Sequence, residues 1–416
     1  MTCRILRRYG RAGNDFVSRI LFAWELGANL GHLMRDLPVA RRLRERGHEV
    51  LFALPDTRAA QQWLTPDGFE FVAIPPTAER GWPKPLASYP EILAAHGFTD
   101  RRALLGLVRA WSALWELTRP DVVVIDHAPT ALLAARAHDI PVVLLGNGFE
   151  IPPPVSPLPS IRPWERVSPV ELLETETRVL DTLNATLAQF GRSALARVAD
   201  LFADCPAVFT TFAELDPYEA RPTAEYVGPI GAHITTPVVD WAMTTKPRIF
   251  AYLRPFVPGV QALLDALEKC GAHVICAMPG VSPAVRQRFN SHRFQLFSGP
   301  VATTSLLGRA DIVISYGGPA TVASALLAGA PVLLVSHTIE QHLCAIGVED
   351  LGAGVVMRKE RAEQDFADAL TVLTSDTRYK EAARRFAKKY SEFNLERAVD
   401  RAVECVGGAI RAAHGR

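Results

Sequence analysis

The chain has 416 residues, 49% of them hydrophobic and 21% charged, which suits a globular protein of about two domains. Its 45 Lys and Arg balance 44 Asp and Glu, so charge offers no case for nucleic acid or an anionic membrane as partner. Six cysteines, at 3, 205, 270, 276, 344 and 405, match no CxxC, zinc or disulfide spacing and fit a reducing compartment. The start, "MTCRILRRYGRAGNDF", is basic without an apolar core, so no secretory signal is read there. No apolar run approaches the roughly 20 residues that span a bilayer. A cytoplasmic protein with no membrane span is expected.

Taken in order, residues 1–17 read as a tail. "SRILFAWEL" is a strand. "GHLMRDLPVARRLRERG" follows as a helix, with Leu33, Leu37, Ala40 and Leu43 at three-to-four spacing and Gly47 closing it. "HEVLFALP" and "PDVVVIDH" are strands, "APTALLAARAHD" a helix and "IPVVLLGN" a strand. This alternation marks βαβ units on a parallel sheet. Residues 150–170, "EIPPPVSPLPSIRPWERVSP", are too proline-rich for a regular element. They read either as a functional ordered loop or as an irregular surface connection. Helical material is expected at 169–203.

A second alternating set begins at "KPRIFAYL" (strand), "PGVQALLDALEKCG" (helix), "AHVICAMPG" and "RFQLFSG" (strands). "ADIVISYGG", "PATVASALLAG" and "APVLLVS" continue it as strand, helix and strand, and 376–412 is charged and helical. The predicted fold class is therefore α/β, with two Rossmann-like domains facing across a cleft. The division is 18–235 for the first domain, 236–246 for a linker, 247–390 for the second domain and 391–416 for a C-terminal helical segment.

The richest stretch is "SYGGPATVASALLAG", Ser315 to Gly329. A strand hands over to a helix whose first N–H groups lack partners and suit a phosphate. Gly317 and Gly318 let a ligand approach the backbone, and Thr321 adds a hydroxyl. The glycine pair alone is a weak signal and more often marks a plain structural turn.

The longer span "YGGPATVASALLAGAPVLLVSHTIEQHLCAIGVEDLGAGVVM", 316–357, resembles the donor-sugar segment of UDP- and dTDP-sugar glycosyltransferases of the glycosyltransferase-B fold. "YGG", Thr321, "AL", "AGAP", "EQ" and "EDLGAG" fall in that family's register. The resemblance implies that Gly317, Gly318, Ala320 and Thr321 cradle a diphosphate. It also implies that Glu340 and Gln341, read as part of a loop, bond the hydroxyls of the transferred sugar. Departures are Tyr316 for the family's His, Ala320 for a glycine, Ser324 for the ribose-binding Glu, Ser336 for a proline and Cys344 for an Asn. Tyr316 brings a hydroxyl but no charge. Ser324 tilts the donor toward dTDP, whose sugar has no 2′-hydroxyl. Arg254, after "RIFAYL", is a candidate for the positive charge that Tyr316 lacks. "HTIEQH" matches neither HExxH nor HxxEH, and no metal site is expected from it.

In the first half, "GHLMR" resembles the family's GHxxP segment, with Arg35 in place of the proline. The resemblance makes His32 the general base and Asp126, ending "VVVID", the carboxylate that orients it. His127 is a rival at the same strand end. A His at a helix start and an Asp at a strand end also occur as purely structural residues. The pair fits the chemistry, because a neutral imidazole can take the proton of an attacking hydroxyl while a carboxylate fixes its tautomer. Trp82, Phe149 and the 150–165 loop are candidate walls for an apolar acceptor.

The expected activity is inverting, metal-independent and cofactor-free transfer of a hexose or deoxyhexose from a UDP- or dTDP-sugar to a small lipophilic or aromatic acceptor. A non-catalytic glycosyltransferase-like helper of a partner enzyme is the alternative, favoured by the changes at Tyr316, Ala320 and Ser324. A nucleotide-sugar epimerase or hydrolase lacks a matching constellation. Oligomeric state is not read from the sequence.

Overall fold

The central strands are continuous apolar runs, as strands covered on both faces must be. In the computed structural model, which describes residues 17–27, 30–77, 84–232, 236–357 and 365–414, they form two six-stranded parallel sheets. The first contains β1 (Arg19–Trp24), β2 (Glu49–Leu54), β3 (Glu70–Ala73), β4 (Val122–Asp126), β5 (Val142–Gly146) and β6 (Ala207–Phe209) in the order β3-β2-β1-β4-β5-β6. The second contains β7 (Arg248–Tyr252), β8 (His273–Ala277), β9 (Phe294–Phe297), β10 (Ile312–Ser315), β11 (Val332–Leu334) and β12 (Gly354–Val356) in the order β12-β11-β10-β7-β8-β9. Every residue of β4 and β5 is buried.

Each order reverses once, between β1 and β4 and between β7 and β10. Open parallel sheets bind ligands at such points, outside the strands' carboxyl ends, where successive connections leave to opposite sides. In register, Trp24 pairs with Asp126 and Tyr252 with Ser315. The chain therefore delivers His32, Asp126, Arg254 and Tyr316 to the two reversal points.

Two features of the packing differ from a simple succession of domains. The C-terminal Leu395–His414 helix lies on the first domain, where Ala398, Val399, Ala402, Val403 and Val406 join Leu33, Leu37 and Leu43 in one core. The Leu395–His414 helix, part of the segment set apart in the sequence reading, thus covers the first sheet, driven by an apolar stripe at three-to-four spacing. Within 236–246, Trp241 is buried in the second core and its indole N–H donates to the Leu306 carbonyl at 3.1 Å.

The Gly31–Glu45 helix contains Pro38. A proline has no N–H for the carbonyl four residues back. That carbonyl, on Met34, instead accepts from the Ala232 N–H at 2.7 Å, so the break in the helix ladder is used to hold a distant segment.

Residues 150–165 are ordered and anchored. Ile151, Leu158 and Ile161 are buried in the first core, and the Leu158 N–H donates to Glu176 at 2.6 Å. The helical material expected at 169–203 is the Pro169–Ala188 helix followed by a short 3-10 turn at Val198–Leu201.

Candidate active site

His32 opens the first turn of the Gly31–Glu45 helix, and Asp126 ends β4. The loops behind them are stitched together, because the Leu26 N–H donates to the His127 carbonyl at 3.0 Å. His32 Nδ1 and Asp126 Oδ1 meet at 2.8 Å. The indole of Trp24 stacks on the imidazole at 5.1 Å. Gly27 has φ +92°, and a Cβ there would sit 2.6 Å from His32 Nε2. A glycine at 27 is therefore required both by the backbone and by the ring lying over it.

Two residues without an assigned role in the sequence reading complete this cluster. Arg35, one turn beyond His32, donates through Nε to Asp126 Oδ2 at 3.1 Å and through Nη2 to Asp126 Oδ1. Nη2 also donates to Glu150 Oε1 at 2.6 Å. The ligand-type atoms of His32, Asp126 and Glu150 lie within 4.8 Å of one another. Arg35 Nη2 contacts all three, so a guanidinium is the cation at their centre.

Burial and charge set the protonation states. Burial opposes protonation of His32, but Asp126 and Glu150 outweigh it, with Arg35 opposing, and the imidazole ends above its ordinary 6.5. Asp126 resists ionisation through burial, yet Arg35 and His32 hold its carboxyl well below the usual range. Asp36, buried beside them, is pushed well above that range by burial and by the charge of Asp126. His127 drops to about 3 through burial and the neighbouring His32. It has φ +48° and an Nε2 without a partner, so it is a neutral ring with no carboxylate to orient it. Tyr89 and Phe149 pack on it at ring distances of 6.0 Å, both largely buried.

On the second domain, Gly318 caps the Pro319–Leu327 helix without any side-chain bond to its first N–H groups. A Cβ at Gly318 would meet nothing closer than 3.8 Å, which leaves the approach to those groups open. Gly317 serves a different purpose. It has φ +93°, and a Cβ there would press on Gln341 Cβ at 3.1 Å and on Ser336 Oγ at 3.2 Å, so its bareness serves packing as well as any ligand. Ala320 is exposed and Thr321 half-buried in the helix's first turn. The Ser324 hydroxyl donates to the Ala320 carbonyl at 2.8 Å. Tyr316 packs on Tyr252 at 5.7 Å, and the Arg254 guanidinium lies 5.9 Å from the Tyr252 ring. Arg254 Nε has no partner.

Glu340 and Gln341, expected in a loop, stand instead in the first turn of the Ile339–Asp350 helix. Thr338 and Gln341 form a capping box, and Gln341 Oε1 accepts from the N–H groups of His337 and Thr338 at 2.9 and 3.2 Å. The sequence "TIEQ" carries that box. The helix is apolar on two faces, which hides its periodicity: Ile339, Leu343 and Ile346 pack on the first domain's core, and Cys344, Ala345 and Val348 on the second's. Glu340 accepts a hydrogen bond from Asn147 Nδ2, beyond β5. Asn147 Oδ1 takes the Phe149 N–H at 3.1 Å, which fixes the amide's orientation. Trp164 of the proline-rich loop reaches His342 on the same helix, at 5.6 Å.

Trp82 lies outside the described residues. A cavity of about 670 Å³ runs along the Ile339–Asp350 helix, between Pro159, Pro163, Tyr218, Leu343 and Ile346. Its lining does not include His32, Asp126 or Phe149. No helix among the described residues is long and apolar enough to cross a membrane.

Comparison with known proteins agrees with this geometry. Residues 261–393 match the family model of the erythromycin biosynthesis protein CIII-like C-terminal domain. A PGL/p-HBAD biosynthesis rhamnosyltransferase of Mycobacterium bovis is 29% identical over 392 residues, covering 89% of this chain and 84% of the relative. A PGL/p-HBAD biosynthesis glycosyltransferase of Mycobacterium tuberculosis is 29% identical over 404 residues, covering 89% and 88%. Among solved structures, the calicheamicin glycosyltransferase superposes with a TM-score of 0.69 at 22% identity, covering 94% of this chain and 98% of that one. The spinosyn rhamnosyltransferase superposes at 0.65 and 20%, covering 93% and 99%. The two parallel six-stranded sheets have the glycosyltransferase-B fold, and similarity over most of the chain to bacterial rhamnosyl- and glycosyltransferases makes the protein a glycosyltransferase.

Proposed function

We propose that the protein transfers a deoxyhexose, with rhamnose the leading candidate, from a dTDP-sugar to a hydroxyl of a small lipophilic or aromatic acceptor, with inversion and without a metal. The 2.8 Å contact between His32 and Asp126 carries this reading. The acceptor O–H gives its proton to His32 Nε2 as its oxygen bonds to the anomeric carbon. The bond from that carbon to the diphosphate breaks, and the diphosphate leaves with the electron pair. Asp126 holds the Nδ1–H tautomer and stabilises the imidazolium. A single in-line displacement inverts the centre.

The leaving diphosphate is assigned to the uncapped start of the Pro319–Leu327 helix, with Thr321, Tyr316 and Arg254 beside it. Helix N–H groups absorb developing negative charge there. Glu340 and the free amide N–H₂ of Gln341 are assigned to the sugar hydroxyls. The relatives named as rhamnosyltransferases support the sugar. A spinosyn rhamnosyltransferase structure in complex with thymidine diphosphate supports the nucleotide. So does Ser324, whose hydroxyl proton is given to the Ala320 carbonyl and which offers one acceptor oxygen where a carboxylate offers two. The aromatic group of Phe149, Tyr89 and His127 beside His32 supports an apolar or aromatic acceptor.

Thermal-shift titration with dTDP, UDP and GDP tests the donor assignment. A larger stabilisation by dTDP than by UDP or GDP is expected, since a ligand that binds only the folded state raises stability. No shift with any of the three would sink it.

A further inference from the structure

Arg35 and Glu150 sit in the cluster of the proposed base, and simple acid–base catalysis gives neither a task. Both are buried, at 7% and 5% exposure, beside a fully buried Asp126. Arg35 grips both oxygens of Asp126, and its Nη2 is 3.1 Å from His32 Nδ1.

A carboxylate supports an imidazolium by its charge. Here a guanidinium shares that carboxylate, so Asp126 and Arg35 together are neutral. A cation 3.1 Å from the ring opposes a second positive charge, strongly so where water is excluded. Glu150 supplies the missing negative charge. Burial raises the Glu150 carboxyl, and the hydrogen-bonded Arg35 guanidinium favours its ionised form; with Asp126 and Glu150 ionised and Arg35 positive, the cluster is singly negative around a neutral imidazole. It becomes neutral when His32 takes a proton.

Among the other groups facing the cluster, Glu340 adds to this count and the rest leave it unchanged. Burial and Asp126 raise the Asp36 carboxyl well above its usual range, which favours its neutral form. His127, with His96 behind it, is neutral. Trp24 is uncharged. Glu340 approaches Glu150 from the second domain and adds to the negative side.

We propose that Arg35 and Glu150 are positioning residues for the general base: Arg35 fixes the Asp126 carboxylate against His32, and Glu150 restores the charge that lets His32 hold the acceptor's proton. This rests on the reading of His32 as base.

The test compares Glu150→Gln, Arg35→Met and the double variant in the full chain. Two quantities are read: the His32 imidazole titration by NMR, and the pH dependence of kcat/KM. Glu150→Gln leaves the cluster with no net negative charge to offset an imidazolium, so the titration and the acid limb move down by roughly one pH unit, and kcat falls about tenfold. Arg35→Met moves both up. The double variant, which removes the charges as a pair, returns both toward the wild-type position. It also covers the case in which Arg35→Met alone fails to fold. Opposite shifts are the signature, because loss of a structural staple does not change sign. A His32 titration unmoved in Glu150→Gln, or moved equally in Glu150→Gln and in the double variant, overturns the proposal. A titration that moves while the acid limb stays in place overturns the assignment of His32 as base, and the catalytic part of the proposal with it.

Discussion

Asn147, beyond β5 of the first domain, hydrogen-bonds Glu340 in the first turn of a helix of the second domain. The bond joins the two halves at the carboxylate assigned to the donor sugar. The amide is itself fixed by the Phe149 N–H, so Asn147 sets where Glu340 points. Asn147→Ala is expected to raise the KM for the nucleotide-sugar by roughly tenfold or more, the value of one hydrogen bond to a charged group. The KM for the acceptor is expected to change less. Initial-rate kinetics with each substrate varied separately check this.

Asp126→Asn removes the charge that both His32 and Arg35 depend on. Loss of the correct tautomer and of imidazolium support costs on the order of 10²- to 10⁴-fold in kcat. Because Arg35 and Glu150 remain buried, stability also falls, by about 3 kcal/mol as for a broken buried pair. His32→Ala is the comparison. It is expected to lose activity with a smaller fall in Tm, since it leaves the Arg35–Asp126 pair intact.

Gly27→Ala adds a methyl group 2.6 Å from His32 Nε2, at a backbone φ of +92°. The ring must move, taking the base away from the acceptor. Transfer is expected to fall by about 10²-fold or more, as for a misplacement near 1 Å, while dTDP binding measured by calorimetry is unchanged.

Ser324→Glu places a carboxylate where the family carries one for the ribose. Affinity for UDP relative to dTDP is expected to rise several-fold, because only the UDP ribose has a second hydroxyl to donate. Equilibrium binding of the two diphosphates measures it.

Glu25 gives a pH effect on stability of predictable sign. Burial raises its carboxyl to about 7, against hydrogen bonds from Thr130, Trp111 and Ala131. Between its ordinary 4.5 and about 7, the folded state keeps a proton that the unfolded chain releases. Stability therefore falls as pH rises through that window. Wild-type Tm is expected to drop relative to Glu25→Gln between about pH 4.5 and 7. Parallel Tm curves for the two proteins across that range would contradict it.

The strands were legible because a parallel strand covered on both faces must be apolar throughout, as "VVVID" and "VVLLG" are. The helix after "TIEQ" was not read, although the capping box is in plain view, because apolar residues on both faces leave no single stripe. His32 and Asp126 were legible through resemblance and register. Arg35, Glu150 and Asn147 were not. Arg35 looks like a solvated helix residue until Asp126 and Glu150, 91 and 115 positions away, are folded onto it. The C-terminal helix shows its apolar stripe in the sequence, but which sheet it covers is decided only by the chain crossing back.

The most direct test of the central claim is transfer from a dTDP-deoxyhexose to a phenolic acceptor, with the product's anomeric configuration read by NMR, for wild type and His32→Ala. The account predicts a product of opposite configuration to the donor. It also predicts that His32→Ala binds dTDP as tightly as wild type but transfers at least about 10²-fold more slowly, the usual contribution of a general base. Retention of configuration, or undiminished transfer by His32→Ala, would contradict it.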